Sequence, residues 1–191
     1  VEHVLDTQTL RYKRLKTMLV EVEGDLAPGV TAKDIIMKVV QVIGAGGANG
    51  YAVEFAGSAI RAQSMSGRMT ICNMAVELGG RAALIAADDK AYDMAAGRAH
   101  SDMLRFDGEA WASDPGAEFD TKVRIDASEI APLVSWGTSP DQSVPITGRV
   151  PHTSSQSTPK AKAALERALD YMGLTPGQPV QEIPIDGAFI G

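Results

Sequence analysis

The residues whose types and spacing could do chemistry lie in GRMTICNMAVELGG, residues 67–80. If residues 70–78 are helical, Asn73 and Glu77 stand four apart and share a face with Thr70. Met69, Cys72 and Val76 then fall on a neighbouring apolar face. Such a helix can put an amide and a carboxylate into a cleft, as a metal-binding or substrate-binding face. A surface helix with one polar face has the same pattern, and spacing alone leaves both readings open. Gly67 before the run and Gly79-Gly80 after it are start and stop signals.

The elements that must position this helix follow from periodicity. Residues 18–23 alternate as a strand, with Met18, Val20 and Val22 on one side. Pro28-Gly29 is a turn, and Thr31 with Asp34 resembles a capping box opening a helix. Ile35, Ile36, Val39, Val40 and Ile43 form its apolar stripe, and Gly44 stops it. Its β-branched residues lower helix propensity, so burial must hold it. Residues 51–55 and 82–87 read as strands, the second as an inner one, and Asp88 can cap a helix over 89–96. Strands are expected again at 119–125 and 144–150. The clearest helix starts at Ser157 or Thr158, with Pro159 in its first turn and Gly173 at its end. Its buried stripe is Ala161, Leu165, Ala168, Leu169 and Met172, and 179–185 reads as an extended edge. Strand and helix in alternation predict an α/β fold with helices covering a sheet.

Composition narrows the function classes. The 191 residues can bury a substantial core and are 45% hydrophobic and 22% charged, ordinary for a globular chain. A net charge of −6 without any basic block argues against nucleic acid and against an anionic membrane surface. No apolar run reaches the length of a bilayer span. One cysteine cannot form an internal disulfide, which fits a reducing compartment, and a cytoplasmic location is the expectation.

Other polar groups carry less. His3 reads as structural. Gly44, Gly46, Gly47 and Gly50 make a turn after a helix rather than a strand and lack the lysine of a phosphate loop. His100, Asp102, Asp107, Asp114 and Trp111 lack tight ligand spacing and read as a solvated connector. Trp136, Gly137, Thr138 and Ser139, followed by Pro140, form a stiff loop with two hydroxyls. Such a loop can face a ligand or be a plain turn.

The run at 67–80 resembles the Asn-Met-x-x-Glu helix of the aconitase superfamily. Further stretches agree: VEHVLDTQTL at 1–10, KTMLVEVEGDLAPGVTAKDII at 16–36 and GYAVEFAGSAIRAQSMSGRMTICNM at 50–74. IAPLVSWGTSPDQ at 130–142 and DYMGLTPGQPVQEIPIDGAFIG at 170–191 continue the likeness. The set covers nearly the whole chain, is weakest at 97–115, and is most similar to the large-subunit family of 3-isopropylmalate dehydratase. The resemblance implies an aconitase-like α/β/α domain followed by the start of a second such domain. Residues 1–15 would end a preceding domain, 16–115 would carry the Asn73/Glu77 helix, and 116–191 would begin the next.

It also implies a function: a hydro-lyase that isomerises 2-isopropylmalate and 3-isopropylmalate through 2-isopropylmaleate in leucine biosynthesis. Glu77 would act on the departing oxygen at an open iron, and Asn73 would hold the same oxygen network or a substrate carboxylate. The implied cofactor is a [4Fe–4S] cluster in the complete enzyme, held by three cysteines expected beyond Gly191. None is expected on this chain, and Cys72 is not one of those ligands. The implied partners are the small subunit, in a heterodimer, and a dicarboxylate substrate. The chain by itself would be inactive. Homoaconitate, citraconate and dimethylmalate hydro-lyases share the helix, and a non-catalytic α/β interaction module is the reading from a different class.

Overall fold

The computed structural model describes residues 1–96, 98 and 111–189. It has the expected α/β class, with a parallel four-stranded sheet flanked by helices. α1 (Glu2–Thr7) buries no residue. The sheet holds β1 (Lys16–Glu23), β2 (Tyr51–Ala56), β3 (Ala82–Leu84) and β4 (Thr121–Asp126) in the order β3-β2-β1-β4. Every neighbouring pair runs parallel, with Val20 opposite Phe55 on one side and Val123 on the other. β1 is central and buries Met18, Leu19, Val20 and Val22, the near-continuous apolar run of a strand covered on both faces.

α2 (Ala32–Ile43) packs Ile35, Ile36, Val39 and Val40 into this core. The Thr31 amide and hydroxyl each donate to Asp34 Oδ2 at 2.7 Å, which fixes the start of the helix. α3 (Ser58–Ala62), α4 (Met65–Met74) and α5 (Asp89–Ala95) follow, with Asp88 capping α5 as expected. The sequence reading did not separate α3 from the approach to α4. Gly57, between β2 and α3, has a φ of 107°, and a Cβ there would lie 2.2 Å from the Val22 carbonyl oxygen.

Several expectations are corrected. The strand expected inside the sheet at 82–87 is short and lies at the edge, with Leu84 56% exposed. A short apolar run has no periodicity that separates a central strand from an edge. Apart from these, β4 follows residue 116, where the start of the next domain is expected, and pairs with β1 in the four-stranded sheet. A parallel strand needs a long crossover, and the stretch from α5 to β4 has the composition of an interdomain linker. His100, Asp102 and Asp107 lie outside the described residues, whereas Asp114 and Trp111 are exposed.

A second, smaller core gathers Trp136, Val150, Leu165, Ala168 and Leu169. It is built by the antiparallel pair β5 (Leu133–Ser135) and β6 (Ser143–Pro145) and by α6 (Pro159–Met172). Thr158 caps α6, Pro159 opens it and Gly173 closes it at φ 65°. Met172, expected in the buried stripe, is 41% exposed in the last turn. The strand expected at 144–150 stops at Pro145, which has no N–H to donate. The extended edge expected at 179–185 reduces to one bridge, Arg149 to Pro179, followed by a 3-10 turn at Val180–Glu182.

The helix that carries the site is braced from behind. Arg68 on α4 is 4% exposed, and its Nη1 and Nη2 donate to the two Asp88 oxygens at 2.7 and 2.5 Å. Nη2 also reaches the Arg61 carbonyl at 2.8 Å, where Lys90 Nζ donates as well. Hydrogen bonding from Arg68 holds the Asp88 carboxyl below its ordinary range. A carboxyl depressed by folding contributes stability above its unfolded pKa, near 4, and loses it as pH falls through the folded value. Acid unfolding followed by circular dichroism should therefore become shallower below about pH 4 in Asp88→Asn. An unchanged slope would remove this pair from the acid response.

Candidate functional site

A cleft of about 670 Å³ lies between α2, the exit of α4 and the segment 133–140. Lys33, Asp34, Met37, Met74 and Glu77 line one wall. Leu133, Val134, Ser135, Gly137, Thr138, Ser139 and Pro140 line the other. Two sequence-predicted groups therefore meet, Glu77 and the Gly137–Thr138–Ser139 loop, although 60 positions separate Glu77 from Gly137 in the chain.

Local winding decides which residue of the predicted pair enters the cleft. α4 begins at Met65, where the Gly67 amide donates to Ser64 Oγ at 3.2 Å, so Ser64 and not Gly67 is the start signal. Gly67 lies inside the helix, where a Cβ would sit 3.2 Å from the Ala32 Cβ on α2, a tight approach of the two helices. The α-helix ends at Met74, and Ala75–Leu78 forms a 3-10 turn closed by Gly79 at φ 79°. The Leu78 carbonyl accepts from the Ala48 amide at 2.7 Å, and a Cβ on Gly79 would meet Asn49 Oδ1. Meeting that neighbouring turn tightens the last winding. Asn73 and Glu77 therefore do not share one α-helical face. Glu77 lines the cleft beside Met74, three residues earlier, while Asn73 is exposed and lies outside the lining.

The face expected to be apolar is also rotated. Arg68, Ile71, Ala75 and Leu78 are buried, whereas Met69 is 43% and Val76 67% exposed. Arginine is seldom fully buried, but the ion pair with Asp88 lets Arg68 occupy the inner face. Cys72 is half-buried, and burial pushes its thiol pKa up.

Gln142, unmarked in the sequence, shapes the opposite wall. Its Oε1 accepts from the Thr138 amide at 2.7 Å and the Thr138 hydroxyl at 3.3 Å. Its backbone carbonyl accepts from the Trp136 amide at 3.0 Å. A Cβ on Gly137 would lie 2.2 Å from Gln142 Oε1, so a glycine is what lets this clamp close. The signal that could have found Gln142 is its place four residues beyond Thr138, in reach of a tight turn. Trp136, the first residue of the candidate loop, lies outside the lining of this cleft: it is 4% exposed and packs in the second hydrophobic cluster. Its size makes it the largest anchor available to that small core.

Asp34, also passed over as a site residue, joins the two walls. It is 7% exposed; while Oδ2 caps α2, Oδ1 accepts from the Leu133 amide at 2.7 Å. Two helical turns on, Gln41 Nε2 donates to the Ser143 carbonyl and hydroxyl, each at 2.8 Å. One face of α2 thus fixes both ends of the β5–β6 pair.

A family model described as the aconitase family (aconitate hydratase) matches residues 1–191. The chain belongs to the aconitase family, a family of hydro-lyases. Such enzymes generally use a [4Fe–4S] cluster, held by cysteine thiolates. The donor set here does not fit one: Cys72 is the single cysteine, and burial disfavours its thiolate. Among the described residues, no group of three or more His, Cys, Asp and Glu side chains could hold a metal ion. Among them too, no helix is long and apolar enough to cross a membrane.

Proposed function

We propose that this chain forms part of the large subunit of 3-isopropylmalate dehydratase, the hydro-lyase that interconverts 2-isopropylmalate and 3-isopropylmalate. The observation that carries the reading is the meeting of Glu77 with the Gly137–Ser139 loop in one cleft, in a chain of the aconitase family. Loss and return of water across a carbon–carbon bond requires a group that moves a proton and groups that hold the oxygens. Glu77 is the carboxylate of the cleft whose oxygens accept no hydrogen bond from another described residue, and Thr138 and Ser139 stand across from it. Asp34, the other carboxylate, has its oxygens committed to Thr31 and Leu133.

In this reading the cluster belongs to the complete enzyme and its three cysteine ligands come from outside these residues, since one thiol cannot supply them. The cytoplasm, leucine biosynthesis and a small-subunit partner belong to the same proposal. Relative kcat/KM values for isopropylmalate, homoaconitate, citraconate-derived and dimethylmalate substrates, measured on the complete two-subunit enzyme, test it. Isopropylmalate should lead by about tenfold or more, the scale of discrimination by a few apolar contacts. Preference for another of these acids would replace the substrate and keep the reaction class. No turnover of any of them would favour an interaction module.

A further inference from the structure

We propose that Lys33 is the group that binds a substrate carboxylate in this cleft, a specificity-determining residue that rests on the hydro-lyase reading above. Three observations converge on it. Among the described residues Lys33 is the one cation lining the cleft, which it shares with Glu77, Thr138 and Ser139. Among the described residues its ammonium has no carboxylate within ion-pair distance and makes no hydrogen bond. The adjacent Asp34 carboxylate is committed to Thr31 and the Leu133 amide and, among the described residues, makes no ion pair with the lysine.

The position itself is unfavourable for folding. Lys33 is the second residue of α2, where the partial positive charge of the helix N-terminus repels a cation. Asp34 already supplies the cap, so the fold has no use for a positive side chain there. A residue that opposes its local electrostatics without a structural partner points to a functional demand. In this cleft the demand is an anion: Lys33 and the nearby N-terminus of α2 both favour one, whereas Glu77 disfavours a second negative charge close to it. A dicarboxylate lying along the cleft meets both conditions, with a carboxylate at Lys33 and its reacting carbons toward Glu77.

Lys33→Met keeps the apolar stem and removes the charge, and Lys33→Arg keeps the charge. In the complete enzyme, Lys33→Met should raise KM for the hydroxy-dicarboxylate substrate about 10- to 100-fold, the scale of a lost charged hydrogen bond, with kcat within about threefold. Its KM should also become less sensitive to ionic strength. The same variant should melt at an unchanged or higher temperature, because the repulsion at the helix start is gone. Lys33→Arg should recover most of the affinity. Succinate, a dianion that cannot be dehydrated in this way, is titrated into the same proteins by calorimetry. Weaker succinate binding in Lys33→Met than in wild type supports the assignment even if isopropylmalate is not the substrate. Equal succinate affinity, no succinate binding to wild type, or a KM within twofold would overturn it. Turnover of isopropylmalate with Lys33→Met unimpaired would remove the lysine while leaving the proposed reaction standing.

Discussion

Glu77→Gln in the complete enzyme should lower turnover by about 10²- to 10⁴-fold, the range for a positioned proton-transfer group. Glutamine has nearly the same size and helix propensity and retains an acceptor oxygen, so the change isolates the charge and the proton. Glu77 is exposed in the cleft and belongs to no ion pair among the described residues, so its loss should leave the fold within about 0.5 kcal/mol of wild type. The control is Glu129→Gln, an exposed carboxylate in the turn after β4, which should change neither quantity. Asn73→Ala adds a second contrast. The same-face pattern that first suggested a pair would give it an effect comparable to Glu77, whereas its place outside the cleft predicts a small one in this chain. Unchanged circular dichroism with near-wild-type turnover in Glu77→Gln would make this turn a structural one and sink the residue-level assignment.

That contrast shows how much of the site the sequence carried. Glu77 and the 137–139 loop stand out as candidates in the sequence, because a carboxylate in a glycine-bounded run and a Trp-Gly-Thr-Ser-Pro turn are local patterns. Their meeting is not legible there, since nothing local encodes the approach of two segments so far apart in the chain. The shared face of Asn73 and Glu77 does not carry over because period arithmetic assumes one helical pitch, and Ala75–Leu78 is a tighter 3-10 turn. α2 was readable from its cap to Gly44, since both ends are set by side chains and backbone nearby in sequence. The pairing of β4 with β1 is not legible because it is set across a crossover of unhelpful composition. The clamp of Gln142 and the link from Asp34 to Leu133 are not legible for one reason: each acts through a hydrogen bond to a particular backbone amide, and polar residue type alone does not say which amide.

Asp34→Ala should destabilise the fold by about 2–4 kcal/mol: roughly 1 for the lost helix cap and about 1–3 for the part-buried Leu133 amide left without an acceptor. The Thr31 amide can turn to water, since Thr31 is exposed, so the larger share falls on Leu133. Asp34→Asn should cost less, because one amide oxygen can hold either Thr31 or Leu133 but cannot reproduce both charged contacts. The effect should reach beyond stability. Among the described residues, Asp34 and Gln41 are the hydrogen-bonding points on α2 that hold the β5–β6 pair, and the loop between those strands carries Thr138 and Ser139. With one point lost, the hydroxyl wall is held by Gln41 alone and KM should rise while folding remains cooperative. Gln41→Ala should produce a milder version, since it removes neutral hydrogen bonds and no charged one. If both residues hold one element, the double variant should depart from additivity by about 0.5 kcal/mol or more in urea unfolding. Additive stabilities together with an unaltered KM in Asp34→Ala would show that Asp34 caps a helix and does not set the distance between the walls.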